Sequence, residues 1–246
     1  MQERKRPRFP PQLLDLLATG QMGEYSLSPW GSNYTFFTTV SDGIQDGCKV
    51  VYKPRQGEAP LWDFPPGTLY LREYAAYLLS EALGWCFVPP TVVRDGSYGV
   101  GTVQLYMESV HGATYIDTLD KYQDEFMRLC AFDVIANNAD RKAGHCLLGM
   151  DGFIWAIDHG ICFNSEPKLR TVIWEFAGEE VPKAIQKDLA GFLKTFKRPG
   201  GFGEQLAALP LSGEEVEAFR RRVEALVERP VFPYPGQRRA VPWPPV

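Results

Sequence analysis

Two aspartates near the middle of the chain have the residue type and surroundings that metal-assisted phosphoryl transfer needs. Asp140 lies in the polar run NNADRKAGH, and Asp158 ends the apolar run FIWAID. That reaction uses one carboxylate to orient or deprotonate the attacking hydroxyl group and another to hold the magnesium ion that neutralises phosphate charge. We predict the first role for Asp140 and the second for Asp158. A lone aspartate in a loop more often caps a turn or helix, and that alternative stays open for Asp140.

A predicted hairpin would bring a histidine to Asp158. The pair Asp151-Gly152, between the runs HCLLGM and FIWAID, is a strong signal for a two-residue turn. In that register His145 lies directly opposite Asp158, with Cβ atoms about 5 Å apart on one face of the hairpin. The imidazole and the carboxylate could then bind one cation together.

A lysine and a glutamate earlier in the chain form a second candidate pair. Lys53 ends the apolar run CKVVYKP, where a cation on a rigid hairpin could bind phosphate oxygens. Glu73 lies within LREYAAYLL, where burial of a carboxylate requires a partner, and Lys53 is a candidate. The alternatives are that Lys53 is a solvated charge at a sheet edge and that Glu73 pairs with Arg72 or with solvent.

The segment SPWGSNYT before the first strand is a candidate phosphate-binding loop. Gly31, Ser32 and Asn33 could present backbone amides to a phosphate group if they form a nest-like turn. These three residue types are also ordinary turn formers, so the signal is weak by itself.

A zinc site is the main competing interpretation of the central region. His145, Cys146, His159 and Cys162 are zinc-ligand residue types at short spacing. Side chains alternate between the two faces of a strand, which argues against a shared centre for His145 and Cys146. The same alternation would separate His159 from Asp158.

These residues are expected to be positioned by strands and helices in alternation. Runs rich in β-branched and aromatic residues predict strands, and apolar residues at helical spacing predict helices. Strands are predicted in YTFFTTV, CKVVYKP, VPPTVVRDG, VGTVQLYME, HCLLGM and FIWAID. Helices are predicted up to Gly20, in LYLREYAAYLLSEALGW, over 124–136 and around 183–197 and 213–228, with HGATYIDTLDKY as a linker and a proline-rich, extended tail.

Composition restricts the class of protein. The chain has 246 residues, 45% of them hydrophobic, which is enough to bury a sizeable core. A net charge of -4 argues against nucleic acid as the main partner. Five cysteines, odd in number and without CxxC spacing, predict no disulfide framework and favour a reducing cytoplasm. No run approaches the roughly 20 apolar residues of a transmembrane helix, so no transmembrane segment is expected.

Taken together, these motifs resemble the phosphatidylinositol 3-/4-kinase superfamily, including its HipA-like relatives and a bacterial group of small kinase-like proteins. VVYKP resembles the strand that carries the ATP-binding lysine, Lys53, and LREYAAYLL the helix that carries its partner, Glu73. NNADRKAGH resembles the catalytic loop, with Asp140 followed by Arg141, and IDHG the metal-binding motif with Asp158. The resemblance runs from about Ser26 to Phe163.

The resemblance implies an α+β, bilobal protein-kinase-like fold with a small β-rich N-lobe and a mostly helical C-lobe. It implies ATP and Mg²⁺ or Mn²⁺ as cofactors and adenine contacts from Gln104, Tyr106 and Met107. The expected regions are an N-terminal arm with a short helix (1–22), a nucleotide-binding N-lobe (23–109), a catalytic C-lobe (110–230) and the proline-rich tail (231–246).

One residue departs from the pattern of that superfamily. In that superfamily, the residue five positions after the catalytic aspartate is usually an asparagine that serves as a second metal ligand. In this chain that position is His145. Magnesium prefers hard oxygen ligands to imidazole. Activity could therefore depend on manganese, use one metal or be lost, or His145 could position Asp158 through a hydrogen bond.

The expected function is transfer of the ATP γ-phosphate to a hydroxyl group of a protein or small molecule. The segment FNSEPKLRTVIWEF has only Lys168 and Arg170 as basic residues, which disfavours a lipid acceptor. The alternatives are a nucleotide-binding pseudokinase that presents its proline-rich tail to a protein partner, and an AMP transferase on the same fold.

Overall fold

The computed structural model describes residue 6 and residues 9–29, 31–43, 47–237 and 239–246; part of the predicted N-terminal arm, residues 1–5 and 7–8, lies outside this set. The helices are α1 (Pro11–Thr19), α2 (Leu69–Ala82), α3 (Tyr115–Thr118), α4 (Gln123–Ala136), α5 (Lys183–Phe196), α6 (Phe202–Ala207) and α7 (Gly213–Glu228). The strands are β1 (Gln21–Met22), β2 (Ser26–Leu27), β3 (Phe36–Ser41), β4 (Cys48–Pro54), β5 (Thr91–Gly96), β6 (Gly99–Leu105), β7 (Cys146–Leu148) and β8 (Ile154–Ala156). Short 3-10 turns cover Arg55–Gly57 and Ala143–His145.

Most predicted elements are confirmed. The six predicted strands correspond to β3 to β8, and the predicted helices to α1, α2, α4, α5 and α7. The run predicted as a linker contains α3, because Thr114 and Asp117 form a reciprocal capping box that starts a helical turn. The region boundaries at 22, 109 and 230 stay a prediction.

The N-terminal half forms an antiparallel sheet with strand order β1-β3-β4-β6-β5, and β2 also pairs with β3. Alternate side chains of β3 and β4, such as Val40 and Val50, point to one face and pack with Leu17 of α1 in a small apolar core. Phe37, its cross-strand partner Val51, and Lys53 point to the opposite face. This second face carries the first half of the candidate site.

The register predicted for the β7–β8 hairpin is wrong by one residue. Leu148 pairs with Ile154 and Cys146 with Ala156, so His145 lies opposite Ile157 and forms no cross-strand pair with Asp158. The turn is longer than predicted, because the Asp151 carboxylate accepts a hydrogen bond from the Phe153 N–H and Gly152 takes up a left-handed conformation, φ 77°. This combination is typical of a three-residue hairpin loop with a bulge.

Helices α2, α4, α5 and α7 share one large apolar core. Leu79 of α2, Leu129 of α4, Leu189 of α5 and Val223 of α7 are fully or almost fully buried in it. Burial of α2 in this core ties the sheet to the helical region, because α2 also packs against β5 and β6. The helix that carries Glu73 is thus held from both sides.

The C-terminal tail packs on the helical region along part of its length. Phe232 is buried against Phe176, and its backbone exchanges hydrogen bonds with Gly178 and Glu179.

The five cysteines are free thiols, as expected. Among the described residues, no helix combines the length and apolar character needed to cross a bilayer.

Candidate active site

Lys53 is the centre of a charged cluster between the sheet and the β7–β8 hairpin. Its Nζ lies 3.0 Å from Glu73 Oε2 and 3.0 Å from Asp158 Oδ1. Burial alone would lower the pKa of Lys53, but the two carboxylates raise it above its ordinary value, so the ammonium group stays charged. Glu73 is fixed further by the N–H of His159, which donates to Oε1 at 3.1 Å. The structure therefore brings together the lysine and glutamate that the sequence singled out.

The alternative partner proposed for Glu73 is wrong. The fully buried Arg72 points away from Glu73 and donates instead to Glu215 of α7 at 2.7 Å and to the carbonyl oxygen of Cys162 at 2.8 Å. Because adjacent residues on a helix face different directions, Arg72 anchors α2 to α7 while Glu73 faces Lys53.

Asp158 lies just after β8 in a left-handed backbone conformation, φ 61°. Aspartate tolerates this conformation better than most residues, and here it turns the carboxylate out of the strand direction. The Lys53 ammonium holds the pKa of Asp158 well below its usual range, so the carboxylate is ionised at neutral pH. Its second oxygen, Oδ2, lies 3.3 Å from Nε2 of His145.

His145 connects Asp158 to the loop that carries Asp140. Its Nδ1 lies 2.9 Å from the carbonyl oxygen of Asp140, a distance that requires Nδ1 to carry the proton and donate; the N–H of Lys142 is farther from the same nitrogen, at 3.4 Å. Burial lowers the pKa of His145 to about 4, so the ring is neutral at pH 7. The lone pair of Nε2 then faces an ionised carboxylate oxygen.

Two electron-pair donors at this separation favour a cation between or beside them. The donor set is one carboxylate and one neutral imidazole, which fits a divalent ion and suits manganese better than magnesium. Among the described residues, no three His, Cys, Asp or Glu side chains converge as a ready metal site. A bound cation would take its remaining ligands from nucleotide phosphates and water, as is usual for magnesium in phosphotransferases.

Asp140 lies beside this pair. Its N–H donates to the side-chain oxygen of Asn138 at 3.0 Å, and its Oδ2 is 3.4 Å from Lys142 Nζ. Burial raises the pKa of the Asp140 carboxyl; Lys142 counteracts that shift in part, and the nearby Asp158 carboxylate adds to it. A carboxylate with a raised pKa accepts protons more readily, as a general base requires.

The geometry is at odds with the catalytic role expected for Arg141. Its guanidinium group is fully buried and holds Asp133 of α4 through Nε and Nη2, at 3.0 Å and 2.9 Å. It also donates to the carbonyl oxygen of Ile157 at 3.1 Å and lies 2.6 Å from Nε2 of His159. Arg141 thus joins α4, the Asp140 loop and the segment around Asp158, and we correct its assignment from a catalytic to a positioning residue.

The candidate phosphate-binding residues form the loop between β2 and β3. Ser28 N–H donates to Thr35 at 2.7 Å and closes this hairpin. Gly31 has φ 97°, a conformation that favours glycine, whereas the Asn33 side chain accepts from the N–H of Ala59 at 2.7 Å. The Asn33 side chain thus holds this loop against the loop that contains Ala59, and phosphate binding by Gly31 and Ser32 stays a prediction.

The candidate adenine contacts lie at or beyond the end of β6. Gln104 is buried within a strand that is paired on both sides, and its side-chain amide donates one hydrogen bond to Thr91 Oγ1 at 2.9 Å. The Tyr106 N–H donates to the carbonyl oxygen of Lys49 at 3.0 Å, and Tyr106 is 38% exposed. Met107 comes next, half-buried, outside the strand.

Sequence reasoning missed the apolar side chains on the face of the sheet that carries Lys53. Phe37 is 40% exposed, and its ring packs edge-on against Tyr106 at a centroid distance of 5.9 Å. Val51, its cross-strand partner, lies on the same face as Lys53. The signal was available: YTFFTTV carries phenylalanines at adjacent positions, and side-chain alternation requires one of them to leave the core.

A cavity of about 460 Å³ lies next to the charged cluster around Lys53, at the N-terminal end of α2. Its lining comes from the 55–69 segment and Val100, with Arg55, Glu58 and Leu69 among its walls. Glu58 also replaces a conventional cap of α2, because its Oε1 accepts from the Tyr70 N–H at 2.8 Å. The cavity is therefore a neighbour of the charged cluster and has a separate lining.

Comparison with known proteins gives relatives in sequence and neighbours in structure. No protein-family model matches the chain. Protein Rv2133c of Mycobacterium tuberculosis is 37% identical over 264 aligned positions, which cover 93% of this chain and 94% of that protein. Phosphatidylinositol 4-kinase gamma 2 of Arabidopsis thaliana is 29% identical over 135 positions, 42% of this chain but only 24% of the plant protein.

Solved structures of kinases are among the structural neighbours. The Golgi casein kinase superposes with a TM-score of 0.56 at 16% identity, over 89% of this chain and 73% of that one, and its form with Mn and ADP bound gives 0.55. The Helicobacter pylori proinflammatory kinase CtkA gives a TM-score of 0.52 at 11% identity, over 88% of this chain and 94% of that one. The predicted α+β, kinase-like fold and the predicted resemblance to atypical kinases are confirmed.

Proposed function

We propose that this chain, which belongs to the same family as Protein Rv2133c of Mycobacterium tuberculosis, is an ATP-dependent phosphotransferase that transfers the γ-phosphate to a hydroxyl group of a protein or small molecule. The observation that carries the proposal is the position of the Lys53 ammonium, 3.0 Å from both Glu73 and Asp158. A lysine held by a helix glutamate, next to a metal-binding aspartate, is the arrangement by which kinases bind ATP phosphates.

Each charged residue has a separate task in this mechanism. Lys53, kept charged and oriented by Glu73, binds phosphate oxygens of ATP. Asp158 and His145 would hold the divalent cation, which would neutralise phosphate charge when bound. Asp140 orients the acceptor hydroxyl and accepts its proton. Because the pKa of Asp140 is raised, this base is lost at a higher pH than an exposed aspartate would be.

The ion pair between Lys53 and Asp158 is expected to change when the nucleotide binds. The Lys53 ammonium binds phosphate oxygens with high affinity, and the Asp158 carboxylate binds divalent metal ions with high affinity. Exchange of the direct ion pair for these two contacts keeps every charge compensated. Uncompensated charge in this half-buried place would be costly, so nucleotide and metal are expected to bind together.

The first test of the function is Asp140→Asn. This change keeps the shape of the side chain and removes the base, so ATP turnover is expected to fall by about 10² to 10⁴-fold while nucleotide affinity stays within a few-fold. Turnover is measured by ADP release with Mg²⁺ and with Mn²⁺, and affinity by titration with ATP. The exposed Asp120, in the turn after α3, provides the matched control Asp120→Asn, which should behave as the unaltered chain does.

The result that would overturn the proposal is equal turnover in the Asp140 and Asp120 variants. If the unaltered chain binds nucleotide and shows no turnover with either metal, the pseudokinase alternative stands instead. The mass of the modified acceptor separates phosphate transfer from AMP transfer.

A lipid acceptor is disfavoured by the few basic residues after Asp158. The cytoplasm stays the compartment proposed from the free cysteines.

The metal preference tests the role of His145. Replacement by asparagine exchanges an imidazole nitrogen for a hard amide oxygen, which magnesium prefers. We expect His145→Asn to raise the ratio of turnover with Mg²⁺ to turnover with Mn²⁺ by about tenfold. His145→Ala, which removes the ligand without replacing it, should lower turnover with both metals. An unchanged ratio in the asparagine variant would show that His145 does not contact the cation.

A further inference from the structure

The C-terminal segment, residues 229–246, returns to the loop that carries Asp140. Its first anchor is Phe232, which is 1% exposed. The N–H of Phe232 donates to Glu179 at 3.0 Å, and its carbonyl oxygen accepts from the N–H of Gly178 at the same distance. The beginning of the segment is therefore fixed on the helical region.

The second anchor lies next to the segment that comes after Asp158. The carbonyl oxygen of Ala240 accepts from the Thr171 N–H and from the Trp174 indole, both at 3.0 Å. Residues around Thr171 pair in turn with Arg141, whose N–H donates to Arg170 and whose carbonyl oxygen accepts from Val172. Backbone hydrogen bonds thus join three neighbouring segments: the loop that carries Asp140, the segment 170–172 and the C-terminal segment.

The third anchor is on the catalytic loop itself. The carbonyl oxygen of Pro245 accepts from the N–H of Ala143 at 2.8 Å. Ala143 is fully buried and starts the 3-10 turn that ends at His145. The first N–H groups of a helical turn have no acceptor inside the turn, so they require an outside partner. Here that partner comes from the second-last residue of the chain.

We propose that the C-terminal segment is a positioning element of the active site and that the Pro245 carbonyl holds the turn between Asp140 and His145 in its reactive conformation. The proposal rests on the proposed function for its effect on turnover. Nucleotide binding is proposed to depend on Lys53, Glu73 and Asp158, and no hydrogen bond or ion pair joins these three to the described residues of the C-terminal segment. Loss of the Pro245 contact should therefore lower kcat and leave the nucleotide affinity measured without metal nearly unchanged.

Two truncations that differ by one residue test this. Deletion of Val246, which is 67% exposed, leaves a carboxylate on Pro245 that can still accept from Ala143. Deletion of residues 245–246 removes the acceptor. We expect the Val246 deletion to keep full turnover and the 245–246 deletion to lose about tenfold in kcat, with the ATP dissociation constant measured without metal changed less than twofold. Equal kcat in both truncations would overturn the proposal.

Hydrogen exchange separates this proposal from the proposed function. The Ala143 amide is expected to exchange about fivefold to tenfold faster in the 245–246 deletion than in the Val246 deletion, because one hydrogen bond of ordinary strength is lost. This readout needs no turnover. Faster exchange in a chain without any ATP turnover would keep the positioning contact and refute the kinase function; unchanged exchange would refute the positioning contact, whatever the activity. Amides of α7 serve as the internal reference.

Discussion

Replacement of Asp158 by asparagine is expected to lower ATP turnover on the order of a thousandfold. The asparagine keeps the size of the side chain and removes the charge that faces both Lys53 and His145. Without that charge the cation loses its carboxylate ligand, and the Lys53 ammonium loses one of its two partners. Both losses weaken the stabilisation of phosphate charge in the transition state.

Nucleotide titrations with and without Mn²⁺ show whether Asp158 acts through the metal. In the unaltered chain Mn²⁺ should tighten ATP binding; in Asp158→Asn that gain should disappear. Metal-free binding of ATP should persist or become tighter in the variant, because a negative charge near the phosphates is gone. Asp120→Asn is the control, and an asparagine variant whose ATP binding still responds to Mn²⁺ would place the cation elsewhere.

The second large effect is on stability. Arg141→Met is expected to lower the free energy of unfolding by about 3–5 kcal/mol, because it leaves the carboxylate of Asp133 buried without a charged partner. Asp133 and Arg141 are both fully buried, so water cannot replace the lost contact without a change of structure. Urea unfolding followed by tryptophan fluorescence measures the change as a shift of the midpoint.

A double variant and a surface variant make this prediction specific. Asp133→Leu combined with Arg141→Met removes both charges and should recover most of the loss, since replacement of a whole buried ion pair by apolar residues is often nearly neutral. Arg220→Met breaks ion pairs with Glu217 and Glu224 on the surface of α7 and should change the midpoint far less. A surface effect as large as the buried one would contradict the argument.

Local pattern was enough to predict the strand of Lys53 and the helix of Glu73. Alternation in CKVVYKP and helical spacing in LREYAAYLL each fix which face a side chain takes, and a buried glutamate requires a cation nearby. Lys53 was the cation proposed, and the two side chains meet at 3.0 Å. Here the propensities of each segment and the needs of the fold agree.

The contact between His145 and Asp158 was predicted for a reason that does not hold. Neither residue belongs to a strand: His145 ends a 3-10 turn, and Asp158 leaves β8 in a left-handed conformation. They meet because both ends of the hairpin turn inward. The one-residue error in register came from the Asp151 side chain, whose hydrogen bonds stabilise a longer loop than Asp-Gly ordinarily forms.

Other parts of the site leave no signal in a single sequence. The buried partner of Arg141 is Asp133, on the preceding helix, and a charged residue on a mostly apolar helix looks like any exposed position until the packing is known. The Pro245 contact uses only backbone atoms, so no side-chain pattern marks it. Both depend on tertiary packing that brings distant segments together.

The anchor between Arg72 and Glu215 has a consequence for how the proposed activity would be controlled. Many protein kinases exist as two populations, one with the glutamate helix in place and one with that helix swung outward. Here an outward swing of α2 would separate a buried ion pair, at a cost of about 3–5 kcal/mol. Fewer than about one molecule in a hundred would then occupy the outward state. The proposed site is therefore expected to be assembled in nearly all molecules, so access of acceptor and nucleotide would decide when it acts.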